Sequence, residues 1–322
     1  MHRRRFLSLL GLSTLLAAVP LTVSCGSDSS LRIGIHHWIG YGTLHLARDF
    51  RWLPRRAKLV QGSSSKESLA RLLAGDVDAA CLTLDEALGA RAGGLPLTVV
   101  LVFNVSAGAD KLLVRPDIRS LPALAGRRLG YEEGTLSALM LQAILAEAGL
   151  SRSELQLLAI PLDQQLDAWS SGQVDAMISY EPTAGLIEAS GAQTLFDSRR
   201  LPETIFDVLV VRNDRINASA DTLRALLVSH FQGLEHIRMN RQDAIYRLAG
   251  LQGIPPAMIQ QALAGVVFPS RSANGNYLSA KDSRLRSAAE KISVLMQEQG
   301  LLPQPVVIDS LFSSRWLPDP GV

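Results

Sequence analysis

The sequence predicts an α/β protein of two units, each a parallel sheet flanked by helices. Three observations carry this. Short apolar strands alternate with helical segments from residue 31 onward, the alternation restarts near residue 127, and a stretch of the first unit is echoed in the second at a fixed offset of 97. The echo sets "LARLLAGDVDAACLTLDEAL" (residues 69–88) against "LDAWSSGQVDAMISYEPTAG" (residues 166–185). Gly75 matches Gly172, and Val77-Asp78-Ala79 matches Val174-Asp175-Ala176. Each copy reads as a helix stopped by glycine, a tight turn, and a buried strand whose end delivers a polar loop, "TLDE" or "SYEP".

"LRIGI" alternates apolar residues and predicts a strand over 31–35. "TLHLARDF" has helical spacing and predicts a helix over about 41–50. "AKLVQG" is a second strand. "SSKESLARLLAG" combines serine caps, a Leu69/Leu72/Leu73 stripe and Gly75 as a stop. "VDAACLTL" and "LPLTVVLVFNV" read as buried strands around a helix, "DEALGARAGG". In the second unit "GRRLGYEEG" is a strand and turn. "TLSALMLQAILAEAGL" is a helix capped by Thr135 and stopped at Gly149, followed by strand "ELQLLAIP", helix "LDQQLDAWSSG" and strand "VDAMISYEP". After a strand in "ETIFDVLVVRND" (residues 204–211), helices fit 219–238, 240–251, 255–264 and 282–299, and these are expected to cover the first unit.

The first thirty residues form an export segment. Arg3, Arg4 and Arg5 precede an uncharged apolar run from Phe6 to Val19, which is short for a membrane span. "RRRFL" suits the twin-arginine route, and an ordinary basic leader gives the same pattern. Thr22-Val23-Ser24-Cys25 resembles a bacterial lipobox, with Thr22 where a leucine is usual. Residues 1–24 are thus expected to be removed and Cys25 lipidated, with 25–30 as a tether. A secretory signal cleaved nearby is the alternative. Removing Arg3–Arg5 with the leader leaves 29 basic residues against 30 acidic ones, a charge of about −1. That gives nucleic acid no basic surface. With Cys25 acylated, Cys81 has no disulfide partner, and its apolar setting reads as a small buried hydrophobe.

"LRIGIHHWIGYGTLHLARDF", "SGQVDAMISYEP" and "GADKLLVRPDIRSLPALAGRRLGYEEGT", in that order and spacing, resemble the nitrate/sulfonate/taurine type of periplasmic substrate-binding protein, whose relatives also bind thiamine-precursor pyrimidines. The resemblance spans residues 31 to about 300. It implies a type II periplasmic binding fold with a ligand cleft between two lobes and extra C-terminal helices. It places crossings near Val105 to Leu113 and Leu195 to Val208, with lobe 1 as 31–107 and 208–322 and lobe 2 as 108–207. It further implies a monomer that hands a small organic or inorganic anion to an ABC permease, anchored on a bacterial membrane through Cys25, with no cofactor.

Ligand contacts are sought where strands end and helices begin. Trp38 and Tyr41 offer flat apolar faces with polar tips, and Gly40 and Gly42 allow close backbone approach. Ser63, Ser64 and Ser65 combine hydroxyls with helix N-terminal N–H groups, as an oxyanion site requires. Gly134, Thr135 and Ser137 repeat that geometry in the second unit, where Thr135 is equally a plain N-cap. Thr83 and Asp85 stand at one strand end, Tyr180 and Glu181 at its echo, and a carboxylate there favours a cationic or hydroxylated ligand. Glu181 equally suits a bond to neighbouring backbone, and Asp110 a role at the hinge. His36 and His37 are adjacent on a strand end and point opposite ways, which chelates a metal poorly, and no H-E-x-x-H or cysteine cluster occurs. No metal is expected. Nor is there a G-x-S-x-G elbow, a P-loop or a Cys–His pair, so binding is expected rather than catalysis. A tethered ligand sensor is the alternative with the same binding chemistry.

Overall fold

The computed structural model describes residues 30–279 and 283–319. The expectations for the leader (1–24), for Cys25 and for the tether up to residue 29 lie outside the described residues. The first unit opens with β1 (Leu31–Ile35), α1 (Gly42–Asp49), β2 (Ala57–Gln61), α2 (Ser65–Ala74), β3 (Ala79–Thr83), α3 (Leu84–Ala92) and β4 (Leu97–Ser106). The second holds β5 (Asp110–Val114), β6 (Arg128–Tyr131), α4 (Thr135–Ala148), β7 (Gln156–Ala159), α5 (Gln165–Ser170), β8 (Ala176–Tyr180), α6 (Thr183–Ala189) and β9 (Gln193–Asp197). The chain then returns through β10 (Phe206–Arg212) to α7 (Asn213–Ile216), α8 (Ala220–Met239), α9 (Arg241–Gln252), α10 (Pro256–Ala264), β11 (Val266–Val267), α11 (Arg271–Ser279) and α12 (Arg284–Glu298). The glycine stops at Gly75 and Gly149 hold, both in the left-handed region, and Gly253 ends α9 the same way. Gly134, not Thr135, is the N-cap of α4; Thr135 is its first helical residue.

Two sheets result, in the orders β11-β4-β10-β3-β1-β2 and β7-β6-β8-β5-β9. Both are mixed, where the sequence pattern suggested parallel sheets. In each, an interior antiparallel strand is one that has just crossed from the other unit. β5 runs antiparallel to β8 and β9, and β10 antiparallel to β3 and β4. The reason is geometric. A chain leaving the first sheet at the C-terminal end of β4 meets the second sheet at the ends that face the first, and so must run against its parallel strands. Sequence periodicity records that a strand is buried, not which way it runs.

The crossings, residues 107–109 and 198–205, are tied together. Ser198 Oγ pairs with Ser106 Oγ at 2.7 Å and accepts from the Gly108 N–H at 2.7 Å, and the Ser106 N–H donates to the Ile205 carbonyl at 3.0 Å. Helices after β10 pack on the first unit. α8 and α9 share a core with α1 and β1, and α12 shares one with α3, β4 and β10. β5, β6, β8 and α4 form the main core of the second.

The echo at offset 97 marks a structural repeat. Arg32 on β1 donates from N and Nε to Asp78 Oδ2 (2.9 and 3.1 Å) and from Nη2 to Oδ1 (3.0 Å). Arg128 on β6 makes the same three bonds to Asp175, at 3.0, 3.0 and 2.7 Å. Each aspartate sits just before the strand neighbouring its arginine and fixes that strand's start. The hydrogen bonds from Arg128, and for Asp78 those from Arg32 acting against burial, hold both carboxyls below the usual aspartate range. Their stabilisation is therefore complete above about pH 4, the unfolded aspartate value, and is lost as pH falls through the lower folded values. In urea titrations between pH 5 and pH 3, Asp78→Asn with Asp175→Asn should lose stability less steeply than the wild type. An unchanged slope would contradict this account.

α1 meets α8 at Gly233, where a Cβ would stand 2.3 Å from the Thr43 carbonyl oxygen. Gly→Ala inside a helix ordinarily stabilises by roughly 0.5–1 kcal/mol. Here overpacking reverses the sign, and Gly233→Ala should destabilise by about 1–3 kcal/mol, read as a lower urea midpoint.

Candidate ligand-binding site

A cavity lies between the two sheets, at the C-terminal ends of their parallel strands, where open α/β sheets bind ligands. Its walls and open mouth together bound about 570 Å³ of space free of protein atoms. The first unit supplies His36, Trp38, Ser65, Lys66, Thr83, Glu86 and Asp207; the second supplies Asp110, Glu132, Gly134, Ser137 and Tyr180. Trp38 and Tyr180 meet edge to face across it, ring centres 5.7 Å apart.

Several expected contacts are in place. Trp38, Ser65, Thr83, Gly134, Ser137 and Tyr180 line the cavity. Ser65 Oγ donates to Glu86, and the Tyr180 hydroxyl donates to Glu132 Oε2 at 3.2 Å. The Trp38 indole N–H is buried beside Asp207 without a hydrogen bond of good geometry.

Others are displaced. Tyr41 is fully buried one layer behind the wall, its hydroxyl donating to Asp207 Oδ1 at 3.1 Å, so it positions a lining carboxyl instead of lining the site. Ser63 and Ser64 face a neighbouring groove that shares Lys66 and Glu132 with the cavity. Both the N–H and the hydroxyl of Ser63 bond Glu67, and Ser64 caps α2 by accepting from the Glu67 N–H. Asp85 starts α3 buried and off the cavity, while Glu86, one residue on, turns into it and accepts from the Thr83 N–H at 3.0 Å. Glu181 is buried against Lys111 Nζ (2.6 Å) and accepts from the Gly185 N–H (3.1 Å), a structural pair outside the lining. Gly40 permits close approach not to a ligand but to Asn104, whose Nδ2 would stand 1.9 Å from a Cβ there, and Gly42 packs on Leu248. The expectation for the Thr135 side chain lies outside what the structure describes. His36 and His37 diverge as expected: His36 is buried with Nδ1 3.3 Å from Ser68 Oγ, and His37 is exposed. Burial lowers His36 to about 3, so it is neutral at physiological pH.

Glu86, Glu132 and Asp207, not among the expected contacts, line the cavity, and Asp110, expected at the hinge, lines it too. Each left a signal. Glu86 completes a capping pattern three residues after Thr83, Glu132 follows a glycine-bearing strand, and Asp207 is a lone carboxylate in the apolar run "IFDVLVV". All four carboxyls are raised above their ordinary range, first of all by burial. Asp110 is raised to about 6, and the Asp110 charge adds to the rise at Asp207. The bases lining the site, among the described residues, are Lys66 and His36. Lys66 is exposed at the mouth, 3.9 Å from Glu133 of the other unit, a surface pair of about 0–1 kcal/mol.

This two-sheet frame with a cavity between strand ends matches a known family over residues 56–244, described as NMT1/THI5 like. The chain belongs to the NMT1/THI5-like family. It is similar to the taurine-binding periplasmic protein of Escherichia coli, 22% identical over 74% of this chain and 77% of that one. It is also similar to a putative aliphatic sulfonates-binding protein of Escherichia coli, 25% identical over 79% and 82% respectively. The crystal structure of the periplasmic aliphatic sulphonate binding protein SsuA from Escherichia coli superposes with a TM-score of 0.75 at 20% identity, covering 90% of this chain and 99% of that chain. The fold is that of type II periplasmic binding proteins. These relatives are named for binding, not for catalysis.

The Lys111 ammonium is shared between Glu181 and Glu188. Glu181→Ala would leave it half-paired in the interior and should destabilise by about 3 kcal/mol, measured by urea unfolding; a loss below about 0.5 kcal/mol, the scale of an ordinary surface substitution, would show that the pair is not structural.

Proposed function

We propose that this protein is the extracytoplasmic binding component of an ABC importer, a monomer that closes two lobes over a small molecule and presents the closed form to a permease. In this reading the lobes are 31–107 with 208–322, and 108–207. Cys25 carries the lipid that holds the exported chain at a membrane. The observation that carries the reading is the cavity walled by both sheets, with Trp38 from one and Tyr180 from the other closing on each other. Contacts made only when the lobes meet are what let a ligand favour closure. Family membership supports the same role, and among the described residues no helix is long and apolar enough to cross a membrane.

The ligand expected from the resemblance is a nitrate-, sulfonate- or taurine-type anion. The lining weighs against a bare anion, because Glu86, Asp110, Glu132 and Asp207 face the space with no buried lysine or arginine among them. An anion there would meet repulsion in a low-dielectric site. A flat ligand with N–H donors, such as a thiamine-precursor pyrimidine, fits the aromatic walls and the acceptors better.

Thermal unfolding of the purified protein against nitrate, bicarbonate, taurine, longer alkanesulfonates and thiamine-precursor pyrimidines tests this. A true ligand at 100 times its Kd adds about 2.7 kcal/mol and raises Tm by several degrees. The pyrimidines should shift it and nitrate should not. A nitrate or alkanesulfonate shift would restore the anion reading, and no shift with any member would sink both ligand classes.

A further inference from the structure

Asp110 and Asp207 occupy equivalent places in the chain. Each lies at the start of the strand that follows a crossing, Asp110 as the first residue of β5 and Asp207 as the second of β10. Because those strands run against their neighbours, their N-terminal ends reach the cavity, and one carboxyl arrives from each sheet. Both residues are only 3% exposed, and both line the cavity. In each, Oδ2 is buried without a hydrogen bond of good geometry, although Tyr41 satisfies Oδ1 of Asp207, the Trp38 N–H stands beside Asp207 and the Ser106 hydroxyl beside Asp110. Buried acceptors are ordinarily paired, and an unpaired one carries a desolvation penalty. The neighbouring carboxyls are already engaged, Glu86 by Ser65 and the Thr83 N–H, and Glu132 by Tyr180. The two open acceptors are therefore the ones left for a ligand, and Trp38 and Tyr180 supply π faces beside them.

Resting on the reading of a two-lobed binding protein, we propose that the ligand carries a positively charged nitrogen with at least two N–H donors, an ammonium or amidinium group, held between Asp110 Oδ2 and Asp207 Oδ2. The two carboxylates stand on strands of opposite sheets, so when both are ionised they oppose closure of the empty protein. A cation bridging them removes that repulsion and adds charge-assisted hydrogen bonds. The pair thereby couples occupancy to closure, and it rejects compounds of the same shape that lack the charge.

Matched probes test this: taurine against isethionate, which replaces the ammonium by a hydroxyl, and benzamidine against benzamide. Affinity is measured by calorimetry and closure by the radius of gyration in small-angle scattering. The ammonium or amidinium member of at least one pair should bind about tenfold or more tighter than its partner, the scale of a charge-assisted hydrogen bond, and should compact the protein. Asp110→Asn and Asp207→Asn should each abolish that preference. Both are near-isosteric and remove a buried charge, so folding is expected to survive, and circular dichroism checks it. Equal or tighter binding of isethionate or benzamide overturns the proposal, as does a preference that survives both substitutions or a failure of both cations to bind. If uncharged or anionic probes compact the protein, the binding-protein reading stands and the cation assignment alone falls. If nothing in either panel compacts it, both fall.

Discussion

The side-by-side crossing of the chain between its two sheets is the constraint on which the rest of the structure depends. Ser198 holds the crossings together through Ser106 Oγ and the Gly108 N–H, in a region where an unpaired backbone group would cost about 1–3 kcal/mol. Once the chain crosses there, β5 and β10 must run antiparallel to their neighbours, and the cavity must lie where the parallel strands end. That direction of travel is also what delivers Asp110 and Asp207 to the site. α10 reaches across the same side, where Gln261 Nε2 donates to Glu188 Oε2 of α6 at 2.6 Å.

The two ends of each sheet do opposite work. At the N-terminal ends, Arg32–Asp78 and Arg128–Asp175 are satisfied pairs whose carboxyls are held ionised. At the cavity end, two buried carboxyls (Asp110 and Asp207) and two half-buried ones (Glu86 and Glu132) stand without a buried cation and are pushed towards their neutral forms. For Asp110 the sign is opposite to that of Asp78. A folded value near 6 against an unfolded one near 4 makes its ionisation destabilising as pH rises through that window. A fold under selection for stability alone has no use for such groups, whereas a site that must discriminate charge has.

The echo at offset 97 shows how a correct pattern acquires its meaning. The Val-Asp-Ala motif was legible, and so was the repeat of helix, turn and strand behind it. The aspartate's partner was not, because Arg32 lies 46 residues from Asp78 and Arg128 lies 47 from Asp175. Likewise the polar ends "TLDE" and "SYEP" reach the cavity through Thr83, Glu86 and Tyr180, whereas Asp85 and Glu181 do not line it. A helix starting at Leu84 turns Glu86 inward and Asp85 away. Lys111, on the strand beside β8, claims Glu181.

The sequence by itself determined the α/β class, most strand and helix positions, several glycine stops, the restart after residue 127, and the placing of Trp38 and Tyr180 at strand ends. These follow from local periodicity, capping and turn chemistry, which act over a few residues. Only the tertiary structure decided strand direction, which buried carboxyls are paired, and which acceptors remain open in the cavity. Those depend on residues brought together across long stretches of chain. Asp207 meets Tyr41 across 166 positions, and local pattern carries no information on that scale.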